Sequence, residues 1–214
     1  MKLNKIDMAI LALGVLLVIT VPITLGGKEI LTKKQTDSIR DDIIQGTLSD
    51  ELASKITITG SGFYKPYQSI SELVDDSDLV VQGTVVDQFI VSIDGELEGV
   101  IPEVWTYSEI SVNNCYLGNS EDIIYVAQYG GTKDGLTYTS TNDPLLEKGD
   151  VAILFLKNIS KSNFITIGGP QGRFVLQNDK VYSIAEIKPD LVGSYSNLKT
   201  KGMSLTEFID LIKR

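Results

Sequence analysis

From Asp78 to Ile184 the chain is cut into short runs of β-branched and aromatic residues, separated by turn residues rather than by helix-length segments. DLVVQGTVVDQFIVSID (78–94) comes first, broken at Gly83, where a bulge or bend is expected. In VWTYSEISVNNCY (104–116), Val104, Thr106, Ser108, Ile110 and Val112 alternate with Trp105, Tyr107, Glu109 and Ser111, the period-2 pattern of a strand with two unlike faces. DIIYVAQY (122–129) follows, and residues 130–146 read as a polar loop. A Lys148-Gly149-Asp150 turn then leads into VAILFLK, FITIG, RFVLQ and KVYSI, the last two joined by Asn178-Asp179. No two of these runs enclose a long helix, which argues against a doubly wound parallel sheet and for a mainly β barrel or sandwich.

One short helix precedes the strands and another follows them. Ser69 and Glu72 have capping-box spacing, which predicts a helix over about 70–76. Ser204 and Glu207 repeat it ahead of an amphipathic segment with Leu205, Phe208, Ile209 and Ile212 on one face.

The N-terminus sets an expected location. Twenty uncharged residues, MAILALGVLLVITVPITLGG, run between Asp7 and Lys28 behind a leader carrying Lys2 and Lys5. About 20 such residues span the hydrocarbon core as a helix. Residues 1–27 are therefore read as an uncleaved signal anchor, a single transmembrane helix with the C-terminal domain extracytoplasmic on the cell membrane. Charge-rich residues 28–62 read as a stalk or linker closing on Gly60-Ser61-Gly62, with Ile39, Ile43 and Ile44 on one helical face that Gly46 interrupts. Residues 63–214 are the expected β-barrel domain with its C-terminal helix.

Composition removes several chemistries. The chain has no histidine, which excludes Ser-His and Cys-His nucleophile pairs and imidazole general bases. A formal net charge of −9 argues against nucleic acid as a partner. The single cysteine, Cys115, cannot form an internal disulfide and has no basic neighbour in sequence to lower its pKa.

The order SDLVVQGTVV, YSEISVNNCYLGN, DIIYVAQYGG, PLLEKGDVAILFL and IGGPQGRF resembles a group of mostly uncharacterised, membrane-anchored bacterial and archaeal proteins. Their soluble part is similar to the netrin-like, OB-type barrel shared with tissue inhibitors of metalloproteinases. The resemblance covers about residues 69–176 and implies an OB-like β-barrel here. It does not carry protease inhibition over, because those inhibitors use an N-terminal cysteine on the protease zinc and several disulfides.

Residues 168–174, GGPQGRF, have the glycine density of a phosphate cradle but lack the Lys-Ser or Lys-Thr of a P-loop, and a strand follows instead of a helix. Pro170 also removes one amide donor. A hairpin turn is the expectation, with Gln171 and Arg173 at the surface as candidate partner contacts. Trp105 and Tyr107, two apart on one strand face, are read either as core or as an exposed row for a sugar or peptide. The acids Asp75, Asp76 and Asp78, and Asp94, Glu96 and Glu98, lack calcium-loop spacing and read as solvated charge. No cofactor and no metal site is expected. The functional expectation is a membrane-anchored, non-catalytic binding or interaction domain whose partner is a protein or envelope component. A cell-envelope hydrolase using carboxylates only, and a structural envelope protein, stay open as alternatives.

Overall fold

The computed structural model describes residues 24–25, 29–30, 33–60, 64–93, 101–184 and 202–213. In chain order these form β1 (Thr24–Leu25), β2 (Glu29–Ile30), α1 (Lys33–Gln45), α2 (Asp50–Ala53), β3 (Ile56–Gly60) and α3 (Ile70–Asp76). The long strands β4 (Leu79–Ile93) and β5 (Glu103–Leu117) follow, then β6 (Ile123–Tyr129), β7 (Gly131–Lys133) and β8 (Leu136–Ser140). The chain ends with β9 (Val151–Ser160), β10 (Asn163–Thr166), a 3-10 turn (Gly169–Gly172), β11 (Arg173–Gln177), β12 (Lys180–Ser183), β13 (Met203–Ser204) and α4 (Leu205–Ile212). The protein is mainly β, as the run pattern requires.

The larger sheet is built on β4. It pairs antiparallel with β5, and β5 with β6; β6 runs parallel to β10, β10 antiparallel to β9, and β9 antiparallel to β4. The pairings thus return to the strand they began from. Register shifts in β4 fall between Gln82 and Gly83 and between Val85 and Asp87. Gly83 has no room for a side chain, since a Cβ there would stand 2.4 Å from Ile110 Cγ2.

Strand alternation separates two apolar layers. Leu79, Val81, Ile110, Ile124, Val126 and Leu154 belong to one core cluster, and Val80, Ile153, Phe155 and Phe174 to another. The helices cover the second, α3 through Ile70 and Leu73 and α4 through Phe208 and Ile212. Both caps form at the expected serines. Ser204 and Glu207 make the reciprocal box, whereas Glu72 accepts from the amide of Gln68, one residue further back than the cap.

Two expectations need correction, and a third falls almost wholly outside the described residues. Residues 130–146 are not simply a polar loop: β7 and β8 form a hairpin whose turn, Asp134-Gly135, has φ of 49° and 79°. Positive φ at both positions fits the tight turns that Asp-Gly favours. The span read as a stalk contains β3, which pairs parallel with β8 and buries Ile56 and Ile58 beside Leu136 and Tyr138. Within it, α1 ends at Gly46 and sets Ile39, Ile43 and Ile44 against the same cluster. Finally, of the expected anchor only Thr24 and Leu25 are described, and they form β1, paired with β2 and β3. The rest of it lies outside the described residues, among which no helix is long and apolar enough to cross a membrane.

Candidate functional site

GGPQGRF lies in the interior, not at the surface. β10 and β11 are not hairpin partners; both pair antiparallel with β9, Thr166 opposite Leu156 and Arg173 opposite Leu154. After β10 the chain keeps its bond to β9 through the Ile167 amide, turns through Gly168 and Gly169 at φ of 61° and 56°, and pairs with β9 again as β11 from Arg173. Glycine is required here on two counts. The conformation is left-handed, and a Cβ on Gly169 would meet the Tyr64 ring at 2.5 Å.

The two polar side chains of this loop are buried, Gln171 at 1% exposure and Arg173 at 2%. This overturns their placement as surface contacts. Gln171 accepts the Tyr67 amide at 2.9 Å and donates to the Lys65 carbonyl at 3.1 Å, fastening the chain ahead of α3. Arg173 forms an ion pair with Asp143, which is itself buried, and donates to the Pro144 carbonyl. Tyr64 donates to the other Asp143 oxygen at 2.8 Å. Burial, and then the Asp143 carboxylate, hold the Tyr64 hydroxyl far above its ordinary pKa. Buried charges are tolerated when paired and hydrogen-bonded in this way.

Gln128 and Gln88 carry the network onward. Gln128 accepts the Leu146 amide at 2.9 Å and donates to the Pro144 carbonyl at 3.2 Å. Gln88 donates to the Leu146 carbonyl at 2.8 Å and to Ser108 at 2.9 Å. Asp143 to Leu146 is therefore an irregular segment held from beneath by side chains of β4, β6 and β11 and by Tyr64.

That segment forms one wall of a groove of about 570 Å³. Gln88, Phe89 and Ile90 of β4 and Thr106 of β5 stand across from Pro144, Leu145, Leu146 and Glu147. Gly131, Thr132, Thr137, Tyr138 and Thr139 of the β7–β8 hairpin complete the lining. Burial pushes the Tyr138 hydroxyl up to about 12, with Asp134 adding to it. The lining mixes apolar groups with hydroxyls, and Glu147 is its one carboxylate among the described residues.

Trp105 and Tyr107 occupy the opposite face of the same strands and are 4% and 1% exposed. They are core rather than an exposed row. Trp105 meets Tyr129 edge-on at 6.1 Å and donates to Glu103, while Phe89, 41% exposed, stacks on Tyr107 at 5.4 Å. Of the acidic residues, Asp76 binds Lys65 and Tyr67, and Asp78 binds Lys157 and the Asn158 amide. The hydrogen bonds from Lys65 and Tyr67 hold the Asp76 carboxyl below its usual range. Burial pushes Asp78 up, but Lys157 and the Asn158 amide outweigh it and leave its carboxyl low. Asp94, Glu96 and Glu98 lie outside the described residues, among which no cluster fit to hold a metal occurs. Cys115 is a free, exposed thiol.

Reading the sequence alone missed the groove. Its hairpin wall was signalled by Asp134-Gly135 and by the alternation Leu136-Thr137-Tyr138-Thr139-Ser140. The other wall, Asp143–Leu146, depends on contacts with Arg173 and Gln128 that no local pattern shows. No protein-family model and no curated protein matches this chain.

Proposed function

We propose that this chain is a membrane-tethered, non-catalytic binding domain on the outer face of the cytoplasmic membrane, with the groove beside β4 as its ligand site. The groove itself carries the reading: it is open, lined by apolar and hydroxyl groups, and has one carboxylate, Glu147, among its described residues. Hydrolysis by carboxylates alone needs two acids flanking one bond, commonly with one pKa raised. Among the described residues the displaced carboxyls, Asp76, Asp78 and Glu207, are moved down by ion pairs and a helix cap.

The strand order supports an OB-type barrel of the netrin-like kind. A β4–β5–β6 meander, a parallel β6–β10 contact, and β9 between β10 and β4 match the five-stranded Greek-key ring of that fold. The tether rests on the uncharged run 8–27. Protease added to intact protoplasts should remove a C-terminal tag; a tag cut only after lysis would contradict the orientation.

The binding reading is tested by a thermal-shift screen of soluble glycans and peptides on the full chain. A ligand of the native state raises Tm, and Ile90→Lys should abolish the rise. Turnover of any screened compound that is lost in Glu147→Gln would contradict it and favour an enzyme.

A further inference from the structure

Resting on that reading of the groove, we infer that its ligand is an extended polypeptide segment, bound by strand addition to the distal half of β4.

Leu79–Thr84 is paired on both sides, with β5 on one and with Val151–Leu156 of β9 on the other. At Val85 the second neighbour departs: Gly149 and Asp150 still bond its backbone, but the preceding residues swing away toward Gln128 and Arg173. From Val86 to Ile93, β4 keeps β5 and has no second strand among the described residues. Alternate residues of such an edge present backbone N–H and C=O groups to the open side, the template for another strand.

Exposed apolar side chains flank this edge on both faces, Ile90 on the groove side beside Gly131 and Thr106 and Phe89 on the other, stacked on Tyr107. Val86, Phe89 and Ile90 are the exposed large hydrophobics among the described residues, at 36%, 41% and 39%, and all three lie on this half-strand. Edge strands are ordinarily blunted by lysine, proline or cover. VDQFIVS has no lysine or proline; what blunts it is Asp87, paired with Lys148, and the register shift between Val85 and Asp87 at its start.

The shape of the groove selects the occupant. Opposite the edge stands Pro144–Glu147, held by Gln88, Gln128 and Arg173, with the β7–β8 hairpin beside it. The occupant inferred is a single extended chain, which on entering would displace the Gln88–Leu146 hydrogen bond that crosses between these walls. Asp87 and Glu147 are exposed at the rim, where Lys148 pairs with Asp87, and the chain carries a formal net charge of −9. These features fit a peptide with apolar residues at every second position and a basic residue near the Glu147 end.

The probe is a displayed library of random eight-residue peptides, selected against the full chain in mild detergent, with a glycan array in parallel. The tightest peptides are resynthesised with single N-methylated amides. Their affinities are measured for the native chain and for Ile90→Lys and Val86→Lys, two exposed substitutions whose folding is checked by circular dichroism. Strand addition predicts a loss of about tenfold for N-methylation at alternate positions, little at those between, and weakened binding to both variants. Glycans or peptides that Ile90→Lys abolishes but N-methylation does not affect would overturn strand addition and leave the groove as a binding site. No binder sensitive to either variant would overturn both. A dimer in sedimentation that Ile90→Lys dissolves would replace the peptide with a second copy.

Discussion

The two halves of β4 share one neighbour and differ in the other. Leu79, Val80, Val81 and Val85 are at most 2% exposed, whereas Val86, Phe89 and Ile90 are 36–41% exposed. Both halves are β-branched or aromatic and both pair with β5, so neither composition nor hairpin register separates them. The difference lies in what β9 does. Beside the first half it supplies a second ladder, and α3 and α4 lie over Val80. Beside the second half the chain leading into β9 is held by Arg173 and Gln128, with Gln88 of β4 reaching across to the Leu146 carbonyl, and a groove remains. A paired strand is not thereby a buried one; burial needs a second neighbour and a cover.

The largest effect should come from the residue that holds that chain by an ion pair. Arg173→Ala leaves Asp143 buried and unpaired and should cost about 3–5 kcal/mol in urea unfolding. A loss below about 1 kcal/mol would mean the wall does not depend on this pair. Next comes Leu79→Ala in the doubly paired half, at ~3 kcal/mol by the same measurement. Ser204→Ala removes the cap of α4, the helix over that half, and should cost about 1 kcal/mol.

The flanks of the two halves should also titrate apart. Asp76 and Asp78, beside the start of β4, have lowered carboxyl pKa values. Their contribution is present above the ordinary value of 3.8 and is lost as pH falls through the lower folded values. Tyr138 on the groove and Tyr129 beside Trp105 are raised from 10.0 to about 12. Their contribution is complete below pH 10 and is lost as pH rises from 10 to 12. Tm should therefore fall at both extremes, and Tyr138→Phe should lessen only the alkaline fall. The smallest effect is expected at the open edge, where Ile90→Ala should change stability by less than about 0.5 kcal/mol.

Much of this frame was legible because it is local. The 78–94 run with its break at Gly83 became β4 with a register shift at Gly83, and the capping serines placed α3 and α4. Asn178-Asp179, at φ of 50° and 60°, makes the hairpin its sequence suggested. What escaped is long-range. Arg173 reads as a surface arginine until Asp143, 30 residues away in sequence, is found beside it. Ile56-Thr57-Ile58-Thr59 alternates as a strand should, but its charge-rich surroundings read as a spacer and its partner β8 lay in a segment taken for a loop. The groove is a consequence of both, so no motif could mark it.

The central claim is that β4 is one strand with a closed half and an open half. Residue-resolved amide hydrogen exchange on the full chain tests it most directly. The account predicts that amides from Leu79 to Val85 are protected nearly to the level of global unfolding. Between Val86 and Ser92, protection should alternate, with amides directed at β5 slow and those directed at the groove fast. Uniform slow exchange across Val86–Ser92 would show that a second strand already occupies the edge, and the distinction between the two halves would fail.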